Sequence, residues 1–203
     1  MHIGVLGTGT VGRTLAGKLG ELGHEVVIGS RTEGEGKRPF AKAAAFGEVV
    51  LNATNGANSL AALAAAGAEN LRGKLLIDVS NPLDFSRGMP PTLTVCNDDS
   101  LGEQIQRAYP EARVVKTLNT VTANVMVDPG LIPGRHSMFV AGDDDGAKAQ
   151  VVELLESFGW PREEIVDLGD ISGARATEMY VALWLRLFRT FETPCVTVRV
   201  VKE

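Results

Sequence analysis

The chain has 203 residues, of which 44% are hydrophobic and 22% charged, which is typical of a globular domain, alone or with an appendage. Its formal net charge of -5 argues against nucleic acid or an anionic membrane surface as the main partner. The sequence predicts no transmembrane span and no signal peptide, because it lacks a long apolar run and a basic segment leading into an apolar one.

Strand and helix patterns alternate along most of the chain. Strands are predicted over 2–7, 24–29, 48–54, 74–82, 112–119, 137–145, 163–170 and 195–201, and helices over 11–23, 40–46, 59–71, 100–110, 145–159 and 172–191. This alternation predicts an α/β fold with a Rossmann-type, doubly wound parallel sheet. We expect residues 1–168 to form this Rossmann-type domain and residues 169–203 a helix and strand extension.

The first predicted strand runs into the sequence GTGTVG. Gly7, Gly9 and Gly12 follow the strand and open a helix. This spacing provides a tight turn, a close approach of the backbone to a pyrophosphate, and close packing of the helix on the strand. The helix N-terminus offers open N–H groups, and Thr8 and Thr10 add hydroxyl donors. The turn therefore predicts a dinucleotide site.

The end of the second strand indicates which dinucleotide binds. An NAD site carries a ribose-binding carboxylate about 20 residues beyond the glycines. This chain has Ser30 and Arg31 there, followed by Thr32. A guanidinium pairs with phosphate oxygens and the hydroxyls can donate to the same group, while Lys37 and Arg38 add positive field. The predicted ligand is therefore NADP(H).

Several motifs together resemble a known family. The segments LGTGTVGRTLAGKLGELGHEVVIGSR, LLIDVSNPLDFSRG, VVKTLNTV and FVAGDDDGAKAQVVELLESFG resemble the NADPH-dependent reductases of the deazaflavin coenzyme F420. They are also similar to the cytosolic oxidoreductase domain of the six-transmembrane metalloreductases. The segments YVALWLRLF and TPCVTVRVV depart from the family pattern, in a region that helps to form its acceptor pocket.

The resemblance implies a set of ligand-binding positions at the carboxyl ends of the strands. For the pyrophosphate it implies Thr8, Gly9, Thr10, Val11 and Gly12, and for the 2′-phosphate Ser30, Arg31 and Lys37. Beside the adenosine it implies Ala53, Thr54 and Asn55; nearer the nicotinamide Ser80, Asn81 and Pro82; and facing the second ring system Leu118, Asn119, Thr120 and Val121. Locally, Asn-Pro is also a common turn opener, and Asn119 is also a candidate helix cap.

The implied activity is hydride transfer between NADPH and an F420-type deazaflavin in the cytoplasm. The alternatives are an NADPH-dependent flavin or ferric reductase and a non-catalytic NADPH-binding sensor. Because such transfer needs positioning above all, no catalytic side chain and no metal site is predicted.

The remaining candidate residues have simpler interpretations. Asp143, Asp144 and Asp145 are expected to cap a helix. His136 is the one histidine to test, because it follows the strand that is expected to border the pocket. Cys96 and Cys195 match no metal spacing and are interpreted as packing residues of a protein in a reducing compartment. The apolar last helix, with Trp184, Leu185, Leu187 and Phe188, is predicted to form a homodimer interface, and the alternative is that it seals the sheet of a monomer.

Overall fold

A computed structural model describes all residues, 1–203. Its strands are β1 His2–Leu6, β2 Glu25–Ser30, β3 Arg38–Pro39, β4 Val49–Asn52, β5 Leu75–Asp78, β6 Leu83–Asp84, β7 Thr92–Leu93, β8 Arg113–Thr117, β9 Met138–Ala141 and β10 Ile165–Asp167. Its α-helices are α1 Thr10–Glu21, α2 Phe40–Phe46, α3 Gly56–Ala66, α4 Ala68–Leu71, α5 Leu101–Ala108, α6 Ala123–Val127, α7 Asp145–Ser157 and α8 Ala174–Phe191. None of these helices combines the length and the apolar character that a membrane crossing requires.

Eight strands form the central sheet in the order β3-β2-β1-β4-β5-β8-β9-β10. The first six run parallel, and the strand order reverses direction between β1 and β4. This is the doubly wound order in which ligands bind at the carboxyl ends of the strands. The predicted Rossmann-type fold is confirmed.

Two strands run against the prediction of a parallel sheet, since β10 pairs parallel with the reversed β9. β9 pairs antiparallel with β8, through Lys116 opposite Ala141 and Thr117 opposite Val140. A parallel strand needs a crossover that carries the chain back along the sheet. The only α-helix between β8 and β9 is α6, whose five residues span about 7.5 Å, too short for that return. The chain therefore re-enters the sheet at the ligand-binding edge.

Helices cover both faces of the sheet. A cluster of 24 buried residues lies between one face and the helices α1, α6 and α7, and a cluster of 15 lies on the other face beneath α2, α3 and α5. β4 and β5 are buried at every position, which explains why their sequences are almost wholly apolar.

The C-terminal extension differs from its prediction in part. The predicted long helix is present as α8, but only one of its faces is buried, at Ala174, Thr177, Glu178 and Val181. The strand predicted over 195–201 is wrong, since no element follows α8. The tail makes two hydrogen bonds with Ser137 and one with the side chain of Trp184. Only one of the three joins backbone to backbone, so no ladder forms.

Two further short strands lie in the segment between β5 and α5, for which the sequence predicts only a loop. β6 and β7 pair antiparallel, with Leu83 opposite Leu93 and Asp84 opposite Thr92. Each strand has two residues, which is too short for an alternating pattern to be recognised in the sequence. The β6–β7 hairpin borders the ligand-binding edge of the sheet.

Candidate active site

The glycine turn between β1 and α1 has the conformation that its sequence predicts. Gly7 has a φ of 127°, a left-handed conformation that favours glycine, and a Cβ at Gly12 would lie 2.3 Å from the carbonyl oxygen of Gly7. The N-cap of α1 is Gly9, and no side chain caps the helix there. The first N–H groups of α1 are therefore open to an anionic ligand.

The tip of β2 carries two cations without ion-pair partners. Arg31 is exposed and Lys37 half-buried, and neither takes part in any ion pair. Arg38, by contrast, is 3.0 Å from Glu33 and, together with Lys42, lowers the pKa of that carboxyl. The hydroxyl of Ser30 accepts a hydrogen bond from the N–H of Thr32, which shapes the turn. The charge of Arg31 and Lys37 is thus available to a ligand, whereas that of Arg38 is largely satisfied.

These groups line one side of a cleft of about 640 Å³. Ten of the predicted positions line it: Gly7, Thr8, Gly9, Ser30, Arg31, Thr32, Lys37, Ala53, Thr54 and Asn55. Five further residues were not predicted: Phe40, Asn58, Ala61, Ala62 and Ala65. The alanines belong to the Ala-rich run of α3, and their small side chains leave room where larger ones would fill the cleft. The Ala-rich composition of that run is the sequence feature that could have predicted this part of the cleft.

A second cleft, of about 390 Å³, continues along the same edge. It is lined by the predicted residues Thr10, Val11, Ala53, Thr54, Asn55, Ser80, Asn81 and Val121, and by Gly56, Val79, Leu83, Phe85, Thr122, Ala123 and Met126, which were not predicted. Ala53, Thr54 and Asn55 line both clefts. The two clefts therefore meet at the end of β4 and can hold two ligands side by side.

The other predicted positions support the clefts without lining them. Gly12 lets α1 approach the turn, and the carbonyl of Pro82 accepts a hydrogen bond from the N–H of Thr94. Asn119 donates to the Oδ1 atom of Asn81 at 2.9 Å, and Asn81 donates to the carbonyl of Asn119 at 2.8 Å. Thr120, next to Asn119 in the chain, is buried. The Asn81–Asn119 pair joins the loops that follow β5 and β8.

A buried polar network lies directly beneath the place where the clefts meet. Asn52 donates to Asp78 at 2.8 Å and accepts from the hydroxyl of Thr54 at 2.7 Å. The hydroxyl of Ser80 donates to the same Asp78 carboxylate at 2.7 Å. Thr54 and Ser80, which both line the second cleft, are thus held from below by residues of β4 and β5.

The network ends in a buried ion cluster that the sequence analysis missed. The ammonium of Lys116 lies 2.7 Å from Asp78, 2.8 Å from Glu178 and 2.6 Å from the carbonyl oxygen of Ser80. Burial opposes the charge on Lys116, but the two carboxylates outweigh it and raise its pKa above the ordinary value. The sequence feature that could have predicted the cluster is the lysine inside the apolar strand RVVKT, because a buried charge requires partners of opposite charge.

Glu178 also links α8 to α5. Its carboxylate accepts hydrogen bonds from the N–H groups of Leu101 at 2.8 Å and Gly102 at 3.0 Å, the first two residues of α5. A Cβ at Gly102 would lie 2.9 Å from the Cβ of Ala174, so glycine permits this close approach of the two helices. The extension is thereby joined to the centre of the sheet.

Four side chains considered in the sequence analysis lie outside both clefts. His136 is buried and packs edge-to-face on Trp160, with ring centroids 5.2 Å apart. Asp144 caps α7 by accepting from the N–H of Ala147, as predicted, while Asp143 accepts from the N–H of Ile171. Asp145 pairs with Lys148 at 3.1 Å.

Comparison with known proteins gives matches to one family in particular. Residues 2–82 match the model of the family described as NADP oxidoreductase, coenzyme F420-dependent. The crystal structure of a candidate F420-dependent NADP-reductase from Arthrobacter sp. FB24 is 52% identical, with a TM-score of 0.94 and full coverage of both chains. An imine reductase from Aspergillus terreus, 18% identical with a TM-score of 0.62 over 94% of this chain and 62% of its own, shares the fold alone.

The curated relatives are metalloreductases. Metalloreductase STEAP3 of Rattus norvegicus is 29% identical over 95% of this chain, and metalloreductase STEAP2 of Homo sapiens is 28% identical over 96%. The chain spans 38% of the length of these relatives. With 52% identity over the full length of the Arthrobacter protein, the chain belongs to the family of coenzyme F420-dependent NADP oxidoreductases, and so to the NADP(H)-dependent reductases.

Proposed function

We propose that this reductase transfers hydride between NADPH and an F420-type deazaflavin. The observation that carries the proposal is the meeting of two clefts of different character at Ala53, Thr54 and Asn55. The larger cleft offers two cations without partners, and the smaller offers apolar walls. Both volumes lie within the range of about 300 to 1,000 Å³ that small-molecule sites occupy.

The larger cleft fits NADP(H) on three counts. Gly12 has no side chain that would collide with the turn. The N-terminus of α1 offers open N–H groups for the pyrophosphate. Arg31 and Lys37 are available to pair with the 2′-phosphate. Ser30, Thr32, Ala53, Thr54 and Asn55 complete its wall in the proposed mode of binding.

The smaller cleft fits a planar ring system. Val11, Val79, Phe85, Val121 and Met126 provide apolar surface, and Ser80 and Asn81 provide polar groups that can orient a ligand. Its lining consists of apolar, hydroxyl and amide side chains with no titratable group, which suits a reaction that depends on stacking and exclusion of water.

The chemistry comes from the bound partners. NADPH gives up two electrons and a proton as hydride and becomes NADP⁺, while the acceptor ring takes up that hydride and a proton from water. The contribution of the chain is to hold the two rings in contact. Thr54 and Ser80 are suited to this role because the network of Asn52 and Asp78 fixes both from below.

An absorbance assay tests the proposal. Purified protein is mixed with NADPH and, in separate arms, with coenzyme F420, FMN or a ferric chelate. We expect turnover with the deazaflavin. Turnover with FMN or ferric chelate alone would support the flavin or ferric reductase alternative, which the similarity to the metalloreductases favours. Tight NADPH binding without turnover of any acceptor would support the sensor alternative.

We further propose that the protein is a cytoplasmic homodimer, in which residues 1–168 bind the nucleotide and residues 169–203 wall the acceptor site. Met179 and Leu183, one turn apart on α8, and Phe191 at its end are exposed by 37%, 51% and 62%, which favours a partner surface there. Both cysteines are unpaired, which suits a reducing compartment.

A further inference from the structure

A small pocket lies between α8 and the loop of the β6–β7 hairpin. Its volume is about 120 Å³, and it is lined by Pro90, Pro91, Ala182, Leu185, Arg186 and Arg189. The four residues from α8 recur at intervals of three and four, so they share one side of the helix. Two prolines form the opposite wall, which makes that wall rigid.

The two arginines of this pocket lack protein anions. Neither Arg186 nor Arg189 takes part in any ion pair of the structure. Their three-residue spacing places two positive charges on neighbouring turns, where they repel each other. An anion bound between them would relieve that repulsion. The proposed nucleotide cleft also contains cations without ion-pair partners, namely Arg31 and Lys37.

The hairpin connects the arginine pocket to the smaller cleft. Leu83 pairs with Leu93 and Asp84 with Thr92. Phe85, directly after β6, lines the smaller cleft, whereas Pro91, directly before β7, lines the arginine pocket. The same hairpin therefore contributes to both cavities, and a tail on a ligand in the cleft would pass along it to reach the arginines.

We propose that Arg186 and Arg189 bind a phosphate or carboxylate group on a tail of the electron acceptor. Guanidinium groups suit both anions because they donate two parallel hydrogen bonds to paired oxygens. The inference rests on the proposed function, since it takes the smaller cleft as the site of the acceptor ring. It assigns the extension a defined role, which is selection of acceptors with an anionic tail.

The test compares two acceptors with the same ring. Coenzyme F420 carries a tail with phosphate and glutamate groups, and the ribityl deazaflavin with the same ring lacks that anionic tail. We expect the wild-type protein to have a lower KM and a lower Kd, measured by acceptor fluorescence, for the coenzyme. In the Arg186→Gln/Arg189→Gln variant, KM and Kd for the coenzyme should rise about ten- to hundredfold, to values near those for the ribityl deazaflavin. The Kd for NADPH should not change.

Two further variants control for folding and for general charge. Arg186→Lys/Arg189→Lys keeps the charge and should restore part of the preference, even if the glutamine variant is unstable. Arg72→Gln removes an exposed arginine whose partner is Glu111 and should leave the preference intact. Equal wild-type KM values for the coenzyme and the ribityl deazaflavin, or an equal rise for both in the glutamine variant, would overturn the inference alone. Failure of the wild type to reduce either deazaflavin would overturn the proposed function and this inference with it.

Discussion

At the scale of single residues, the proposed cofactor preference depends on Arg31. Its guanidinium lines the larger cleft, and it makes no ion pair that a ligand would have to break. Arg38, by contrast, forms an ion pair with Glu33 at 3.0 Å, so it adds less positive potential to the cleft. Preference for a 2′-phosphate should therefore follow Arg31 closely, with Lys37 as the second cation.

Replacement of Arg31 separates the two nucleotides. We expect Arg31→Ala to weaken NADPH binding about ten- to hundredfold, because a charge-assisted hydrogen bond to the phosphate is lost, and to leave NADH binding nearly unchanged. Titration of each nucleotide by calorimetry measures both effects. Arg72→Ala, at an exposed arginine near the opposite edge of the sheet, is the matched control. Equal losses for both nucleotides would count against a 2′-phosphate contact.

Two glycines of α1 provide a second test. A Cβ at Gly12 would meet the Gly7 carbonyl at 2.3 Å, so Gly12→Ala should displace the turn, cost about 1 to 3 kcal/mol of stability and weaken nucleotide binding. Gly17 of the same helix has no atom within 4 Å of an added Cβ. Gly17→Ala should therefore stabilise by up to about 1 kcal/mol. Urea unfolding and NADPH titration of both variants check the contrast, which would be refuted if the two substitutions behaved alike.

At the scale of elements, the ion cluster joins three parts of the fold. Lys116 belongs to β8, Asp78 to β5 and Glu178 to α8, and Glu178 also caps the first turn of α5. All three side chains are at most 2% exposed, so each charge depends on the others for compensation. The cluster lies beneath Ser80 and therefore couples the stability of the extension to the shape of the smaller cleft.

Removal of the central cation should be costly. Lys116→Met leaves two buried carboxylates without a counter-charge, and we expect a loss of about 3 to 5 kcal/mol in the free energy of unfolding. Lys18→Met, at a lysine of α1 that makes no ion pair, should change stability by less than about 0.5 kcal/mol. Urea denaturation followed by circular dichroism compares the two. A Lys116→Met protein as stable as the wild type would show that the cluster contributes nothing.

The start of α5 should make stability depend on acid pH. The hydrogen bond from Arg107 lowers the pKa of Asp99 from 3.8 to about 2, and that from Arg175 lowers the pKa of Glu103 below 4.5. A carboxyl with a lowered pKa in the folded state stabilises the fold above its unfolded pKa and loses that contribution as pH falls. For Asp99 the loss should occur between pH 3.8 and about 2.

Unfolding at a series of pH values tests this dependence. Asp99→Asn should flatten the fall in stability over that window, because the substituted side chain no longer binds a proton there. The neighbouring Asp98 makes no ion pair, and Asp98→Asn is the control that should keep the wild-type slope. An unchanged slope in Asp99→Asn would contradict the assignment.

At the scale of the whole molecule, α8 has three sides with different surroundings. One packs on the sheet and α5 through Thr177, Glu178 and Val181, and a second holds the arginine pocket. The third leaves the apolar side chains of Met179, Leu183 and Phe191 exposed. The exposed apolar surface is the one proposed for a second copy of the chain, and Arg186, three residues beyond Leu183, borders it.

Substitution on that third side tests the proposed dimer. We expect the wild type to sediment at twice the chain mass of 21.5 kDa, and Leu183→Glu to sediment as a monomer, because a carboxylate would be desolvated in the interface. Leu131 lies in the turn after α6 and is similarly exposed, at 49% against 51%, so Leu131→Glu is the matched control. A monomeric wild type, or equal behaviour of the two variants, would dismiss this interface.

Local patterns in the sequence determined the order of strands and helices, the glycine turn and the placement of Arg31 after β2. These features depend on periodicity and on backbone conformation over a few neighbouring residues, which a single sequence displays. The same reasoning was wrong for residues 195–201, where an alternating pattern is present but no strand edge receives it.

Only the tertiary structure decided the direction of β9, the partners of Lys116 and the neighbours of Arg186 and Arg189. Each depends on residues far apart in the chain: Glu178 reaches the N–H of Leu101 77 positions away, and the arginines of α8 face prolines of the β6–β7 hairpin. A charge in a sequence does not reveal whether another charge will neutralise it. That depends on how the elements pack, and it decides which cations remain available to bind a ligand.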